Sequence, residues 1–215
     1  MPRVTSLKFA SALLLGVLIL ALAQASAYAA PVVYTARLSG PAESPPNASP
    51  GTGSTEVTLD LAAHTLHVQV QFAGLLGTTT ASHIHACTAT PGTGTAGVAT
   101  TVPTFPGFPL GVSSGSYDHT LNTLDVGTYN PAFLNANGGT AASAETALST
   151  CIAAGRAYLN VHSTVFPGGE IRGFLLPLGK EQCKVGGFSN LTDPATGRIF
   201  KNQGQCVRIA NPANR

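Results

Sequence analysis

Tryptophan is absent from this 215-residue chain, methionine occurs once, and charged side chains make up only 9% of it. So little charge, set against many β-branched residues, excludes an intrinsically disordered chain. No basic tract exists, so the electrostatic footprint of a nucleic-acid or anionic-membrane binder is missing. Beyond residue 29 no stretch is long and apolar enough to span a bilayer. Also missing are a Gly-x-Ser-x-Gly elbow, a His-Glu-x-x-His zinc motif, a phosphate loop and a dinucleotide fingerprint. Acidic residues are few and scattered, and a glycosidase pair has no candidates beyond Glu43 and Glu170.

What the chain has in quantity is glycine (24) and proline (15), with Thr, Ser, Ala and Val filling much of the rest. That balance disfavours long helices and suits short strands joined by many turns. Residues 1–29 read as a targeting segment. Arg3 and Lys8 make a basic start, Phe9 to Ala25 is apolar, and Ala27-Tyr28-Ala29 fits a small-x-small cleavage site. An uncleaved anchor helix is the rival reading. Cleavage would leave nine basic and nine acidic residues in a near-neutral, exported protein.

Export changes how the cysteines read. Cys87, Cys151, Cys183 and Cys206 in an oxidising compartment predict two disulfides. Of the three pairings, Cys87–Cys151 with Cys183–Cys206 is preferred, because it places one bridge in the main domain and one in the tail. The alternative makes Cys87 a metal ligand beside His83 and His85.

The strands follow from period-2 alternation. Val32 to Ser39 is the first. Gly40 to Gly53 is too rich in Pro and Gly for a central strand and reads as a loop. Ser54–Leu61 and Thr65–Phe72 form a hairpin, with Leu66, Val68, Val70 and Phe72 inward and His67, Gln69 and Gln71 outward. His64 and His67 are expected to be solvated. Ala81–Thr88 carries His83 and His85 on one face. Pro91–Gly115 is a long Gly/Pro/Thr-rich segment expected to lay Phe105, Phe108 and Leu110 over an edge of the core. Ser116–Leu121 is a strand with Tyr117, His119 and Leu121 on one face, and Asn130–Gly139 is irregular. Thr140–Ala154 is the one helix expected, with Ala144, Leu148, Cys151 and Ile152 on a stripe, Thr140 as its cap and Gly155 at its end. Residues 156–176 make a second hairpin around Pro167-Gly168-Gly169. One face carries Tyr158, Asn160 and His162, and Glu170 and Arg172 are expected to form a charged pair. After Leu178 the composition shifts, so 30–178 is one domain and 179–215 a small disulfide-linked appendage.

Four stretches, in order, resemble the CHRD domain, the chordin-type module of secreted bacterial proteins. They are Leu38-Ser39-Gly40-Pro41-Ala42-Glu43-Ser44-Pro45-Pro46, Ala81-Ser82-His83-Ile84-His85, Ala157-Tyr158-Leu159-Asn160-Val161-His162 and Pro167-Gly168-Gly169-Glu170-Ile171-Arg172-Gly173. The resemblance covers 34–176. It implies a mainly-β fold, an antiparallel immunoglobulin-like or superoxide-dismutase-like β-sandwich, to which the periodicity adds one short helix. It implies no established reaction. The halves Cys183–Phe188 and Phe200–Val207 also resemble a C-terminal motif of secreted bacterial proteins, to which no function attaches.

Three readings of the His faces stay open. Two His at i and i+2 on a strand project on one side, their Cα atoms ~6–7 Å apart. His162 is the natural third ligand and His119 a fourth, for copper or zinc. The dismutase-like fold also holds copper on a His-x-His strand, but dismutase catalysis needs a second metal site for which residues are lacking. A second reading is a structural network of His83, His85, Asn160, His162, Glu170 and Arg172. A third is contact with a small molecule or glycan. The function expected is a secreted, non-enzymatic module for extracellular binding or structural interaction, its partner an unidentified extracellular protein or matrix ligand. The alternative is a copper- or zinc-binding exported protein, weak metal-dependent redox activity included.

Overall fold

A computed structural model describes residues 30–180, 183–184, 187–190, 192–193 and 198–210. The targeting segment expected over 1–29 lies outside the described residues. The chain forms β1 (Val32–Ser39), β2 (Thr52–Asp60), β3 (Thr65–Ala73), β4 (Thr79–Ala86), β5 (Gly115–Asn122), α1 (Pro131–Ala136), α2 (Ala141–Ala153), β6 (Ala157–Ser163), β7 (Ile171–Phe174) and β8 (Leu176–Pro177). Short β9 (Thr192–Asp193), β10 (Arg198–Ile199) and α3 (Gln203–Ile209) follow.

The β2–β3 hairpin shows why the sheet curls over a core. Val57 faces Val68 and Leu59 faces Leu66 across the ladder. These four and Val70 and Phe72 are buried, while His67 and Gln69 alternate outward. One face is therefore apolar and the other wet, as in antiparallel sheets generally. All the named strands of the main sheet pair antiparallel, in the order β4-β6-β7-β1-β2-β3-β5, with β8 added to β1. The fold is mainly β, a curled sandwich-like sheet around one core, as the resemblance implies.

β4 ends the sheet, and its free edge is covered. Gly97, Ala99, Phe105, Gly111 and Val112 exchange backbone hydrogen bonds with Ala86, Ile84, Ser82 and Thr79. The long segment expected to overlie an edge thus takes the place of a neighbouring strand, which protects the edge from foreign pairing. Phe105 and Phe108 are buried in the core beneath it. Leu110, expected to pack down with them, is instead half exposed.

α2 lies over the core through Ala144, Leu148, Cys151 and Ile152. Thr140 and Ser143 form a reciprocal capping box at its start, and Gly155 adopts φ +65° just past its end. Cys151 is bonded to Cys87 directly after β4, so Cys87 is not available as a metal ligand. The Asn130–Gly139 segment, expected to be irregular, contains α1. Asn130 caps it and Pro131 occupies its first turn, a start signal present in the sequence. In the tail, Cys183 and Cys206 are bonded and pack with Phe200, Ala210, Leu178 and Val33 in a cluster apart from the main core.

Candidate functional site

β6 is buried on both faces along its whole length. Ala157, Leu159 and Val161 enter the core, so Tyr158, Asn160 and His162 occupy the opposite face. In β4, Ile84 enters the core and His83 and His85 project the other way. The register pairs Ala81 with His162, His83 with Asn160 and His85 with Tyr158. On the far side of β6, Asn160 pairs with Arg172 and Tyr158 with Phe174 of β7. Three adjacent strands thus present one polar, aromatic patch on the outside of the sheet.

That outer patch is nevertheless roofed. His83, His85 and His162 are only 6–8% exposed. The rings stand 5.2 Å (His83–His85), 4.8 Å (His83–His162) and 5.9 Å (His85–His162) apart between centroids. One nitrogen from each falls within 4.8 Å of the other two. The roof is backbone. Nδ1 of His85 bonds the Ala96 carbonyl at 2.9 Å, and Nδ1 of His162 bonds the Pro167 carbonyl at 2.9 Å. The Pro103 carbonyl faces the His83 ring. Each bond fixes the tautomer and leaves a second nitrogen idle: His83 Nδ1, His85 Nε2 and His162 Nε2 have no hydrogen-bond partner. Three buried acceptors without a donor are costly unless something else occupies them.

Burial keeps all three rings neutral. Desolvation lowers His83 to about 3, with the neighbouring His162 and His85 adding to the effect. It lowers His85 to about 4, against the bond to the Ala96 carbonyl, with His162 and Arg172 lowering it further. His162 is lowered by burial against the bond to Pro167. Neutral imidazoles whose far nitrogens are tied to carbonyls are the form in which histidine ligates metals. An ion ~2.0–2.1 Å from each nitrogen would set them ~3.5 Å apart, so rings spread within 4.8 Å need a modest rotation to close on it.

The charged residues are arranged differently from expectation. Glu170 does not pair with Arg172. It is fully buried and accepts bonds from Ser49 Oγ (2.6 Å) and the Leu76 (2.5 Å) and Gly77 (3.2 Å) amides. Burial raises its carboxyl, but bonds from Ser163, Ser49 and those amides outweigh it and hold the group below the usual range. It is a structural staple between three loops. Arg172 instead lies 3.8 Å from Glu43 and donates to the Ala42 (2.5 Å) and Gly94 (3.0 Å) carbonyls. Its guanidinium sits 4.7 Å over the Tyr158 ring, and Tyr158 in turn stacks on His85, 4.7 Å away and nearly parallel. Burial pushes Glu43 up to about 7, against the attraction of Arg172 and bonds from Ser44 and Asn160. Gly169, at φ +132°, lies so close to Asn160 and Glu43 that a side chain there would collide with both.

His119, the expected fourth ligand, does not join the group. It is exposed on β5, with its ring against Tyr117. His64 bonds Glu145, which also accepts from Thr123, and His67 bonds Asp118. Among the described residues the three-His group is therefore complete without them. Glu43 and the Ala96, Pro103 and Pro167 carbonyls were not assigned to the site by the sequence. Only Glu43 and Pro167 carried a signal, in the Leu38–Pro46 and Pro167–Gly173 motifs.

With this geometry in view, the comparisons are informative. The CHRD domain family model matches residues 34–175, well over half of the chain. The chain belongs to the CHRD domain family. No curated protein and no solved structure matches it. CHRD domains are modules of extracellular interaction, and both disulfides of this one fit such a setting. Among the described residues no helix is long and apolar enough to cross a membrane.

Proposed function

We propose that this CHRD domain is an exported, non-enzymatic module that binds one transition-metal ion, copper or zinc, through His83, His85 and His162. The observation that carries the reading is the grouping of three neutral, buried imidazoles, one nitrogen of each within 4.8 Å of the others, in rings that each bond a backbone carbonyl and leave one nitrogen without a partner. A purely structural network would be expected to satisfy its own donors and acceptors. Here Glu170 is fully bonded, whereas the three imidazoles, and Glu43 Oε1 and Asn160 Oδ1 beside them, each leave an atom without a partner. Among the described residues His64, His67 and His119 lie elsewhere with other contacts and build no second metal cluster, which argues against dismutase chemistry.

Metal content tests the reading. The protein is exported into an oxidising compartment, purified without a His tag and analysed by elemental mass spectrometry beside a His83→Gln/His85→Gln/His162→Gln variant. Near one equivalent of copper or zinc in the parent and none in the folded variant is expected. No metal in the parent, even after incubation with both ions, would sink the site and leave a disulfide-stapled module whose partner must be sought by pull-down.

A further inference from the structure

We infer that the three-His site selects a monovalent ion, Cu(I), over Zn(II) and Cu(II). The inference rests on the metal reading above and adds the identity of the ion. Three features of the surroundings carry it.

The first is charge. All three donors are neutral, and no carboxylate or thiolate belongs to the group among the described residues. Cys87, next along the chain from β4, is sealed in a disulfide. Glu170 spends both oxygens on Ser49, Leu76 and Gly77. A dication would bring both its charges into a buried site without an anion to offset them, and the cost of burying charge grows steeply with its magnitude.

The second is a fixed cation on the same face. Arg172 is 4% exposed and lies over Tyr158, whose other neighbour is His85. The stack runs from guanidinium through phenol to a metal-binding imidazole. Glu43, at 3.8 Å, is the carboxylate paired with Arg172, so at most it cancels that charge and leaves none for the ion. Repulsion from Arg172 acts twice as strongly on a dication as on a monocation at the same distance.

The third is coordination number. Zinc in proteins is almost always four-coordinate, and Cu(II) prefers a tetragonal set. The roof over the rings is Ala96, Pro103 and Pro167 backbone already engaged with their far nitrogens. Asn160, opposite His83, bonds Glu43 and leaves its Oδ1 without a partner, but a neutral amide oxygen is a hard donor that a soft monovalent ion does not call on. Three nitrogen donors without a fourth nitrogen, thiolate or carboxylate suit the low coordination of a closed-shell monovalent ion.

The test compares ions in the full, disulfide-intact chain at pH 8 under anaerobic conditions. Cu(I) is supplied as its acetonitrile complex and competed with bicinchoninate, and Zn(II) is competed with a chromophoric chelator. One Cu(I) per chain, held at least a thousandfold more tightly than Zn(II), is expected. Arg172→Met should narrow that ratio at least tenfold by strengthening Zn(II), and Arg172→Lys should preserve it. Where Arg172→Met fails to fold, Glu43→Gln supplies the converse: loss of the balancing anion should widen the ratio. Equal or tighter Zn(II) or Cu(II) binding overturns the Cu(I) assignment while leaving a metal site. A ratio unmoved by both substitutions overturns the charge argument. Absence of every ion overturns the three-His reading itself.

Discussion

His67 and His162 both sit on strands, on faces turned away from the apolar core, and they behave as different residues. His67 Nε2 meets Asp118 Oδ1 at 2.7 Å, Gln69 takes the other carboxylate oxygen at 2.9 Å, and the cluster lies open to water. The bonds from His67 and Gln69 hold Asp118 below its ordinary range. His162 is roofed, its one bond goes to a carbonyl, and its second nitrogen is idle. The first cluster is complete in itself. The second leaves one nitrogen on each of its three rings without a partner. What separates them is the cover: Gly40–Ser49, the 91–106 segment and the Pro167–Gly169 turn shield the β4-β6-β7 face, and water keeps the β2-β3-β5 face.

The sharpest way to break the comparison is to exchange outcomes between the clusters. His162→Gln should lower metal affinity at least a hundredfold by removing one of three donors, read by chelator competition. His67→Gln should leave it unchanged. Equal losses from both would erase the distinction.

Acid should separate the clusters next. Below about 6.5 the unfolded chain takes up protons that folded His85 refuses until about 4 and His83 until about 3. The folded values lie below the unfolded ones, so this stability is present above 6.5 and lost as the pH falls through that window. Glu43, raised by burial to about 7, runs the other way between 7 and its ordinary 4.5 and returns one proton's worth. With about 1.4 kcal/mol per proton per pH unit, two protons' worth lost and one returned leave a net loss of about 1 kcal/mol in the metal-free protein between pH 6.5 and 5.5. Urea unfolding at the two pH values measures it, and an unchanged midpoint would mean that the rings protonate in place.

On the other face of the same strand the effect should be of packing alone. Leu159, fully buried in the core, when changed to Ala should cost about 2–5 kcal/mol by leaving a cavity. Metal stoichiometry should survive in the fraction that folds, and joint loss of metal and stability would show that the two faces are not independent. Smallest of all, Asp118→Asn at the exposed cluster should move stability by less than ~1 kcal/mol and metal affinity not at all. Thermal unfolding and the same competition assay check both.

Much of this was legible in the chain because a strand has period 2. His83 and His85 share a face by spacing alone, and Tyr158, Asn160 and His162 likewise. The helix over Ala141–Ala153 and its Thr140 cap were equally local. What failed was non-local. Glu170 and Arg172 share a face and opposite charge, which suggested a pair, but Ser49 and Glu43 arrive from more than 120 positions upstream and claim them separately. His119 shares a side with Tyr117 and Leu121, but that is the core side of β5, opposite buried Val68, whereas the three histidines lie on the outer side; β5 and β4 are also at opposite ends of the strand order. α1 is six residues long, too short for a helical period to accumulate, although Asn130-Pro131 announced its start.

The roof over the imidazoles has an evolutionary consequence. Ala96, Pro103 and Pro167 act through main-chain oxygens, which nearly every residue supplies equally well. Side chains along those loops are therefore free to drift so long as the loop paths persist. Relatives that keep the function should then differ widely there while retaining three histidines and the glycine that lets Asn160 and Glu43 approach, a footprint sparse enough to be overlooked in a distant homologue.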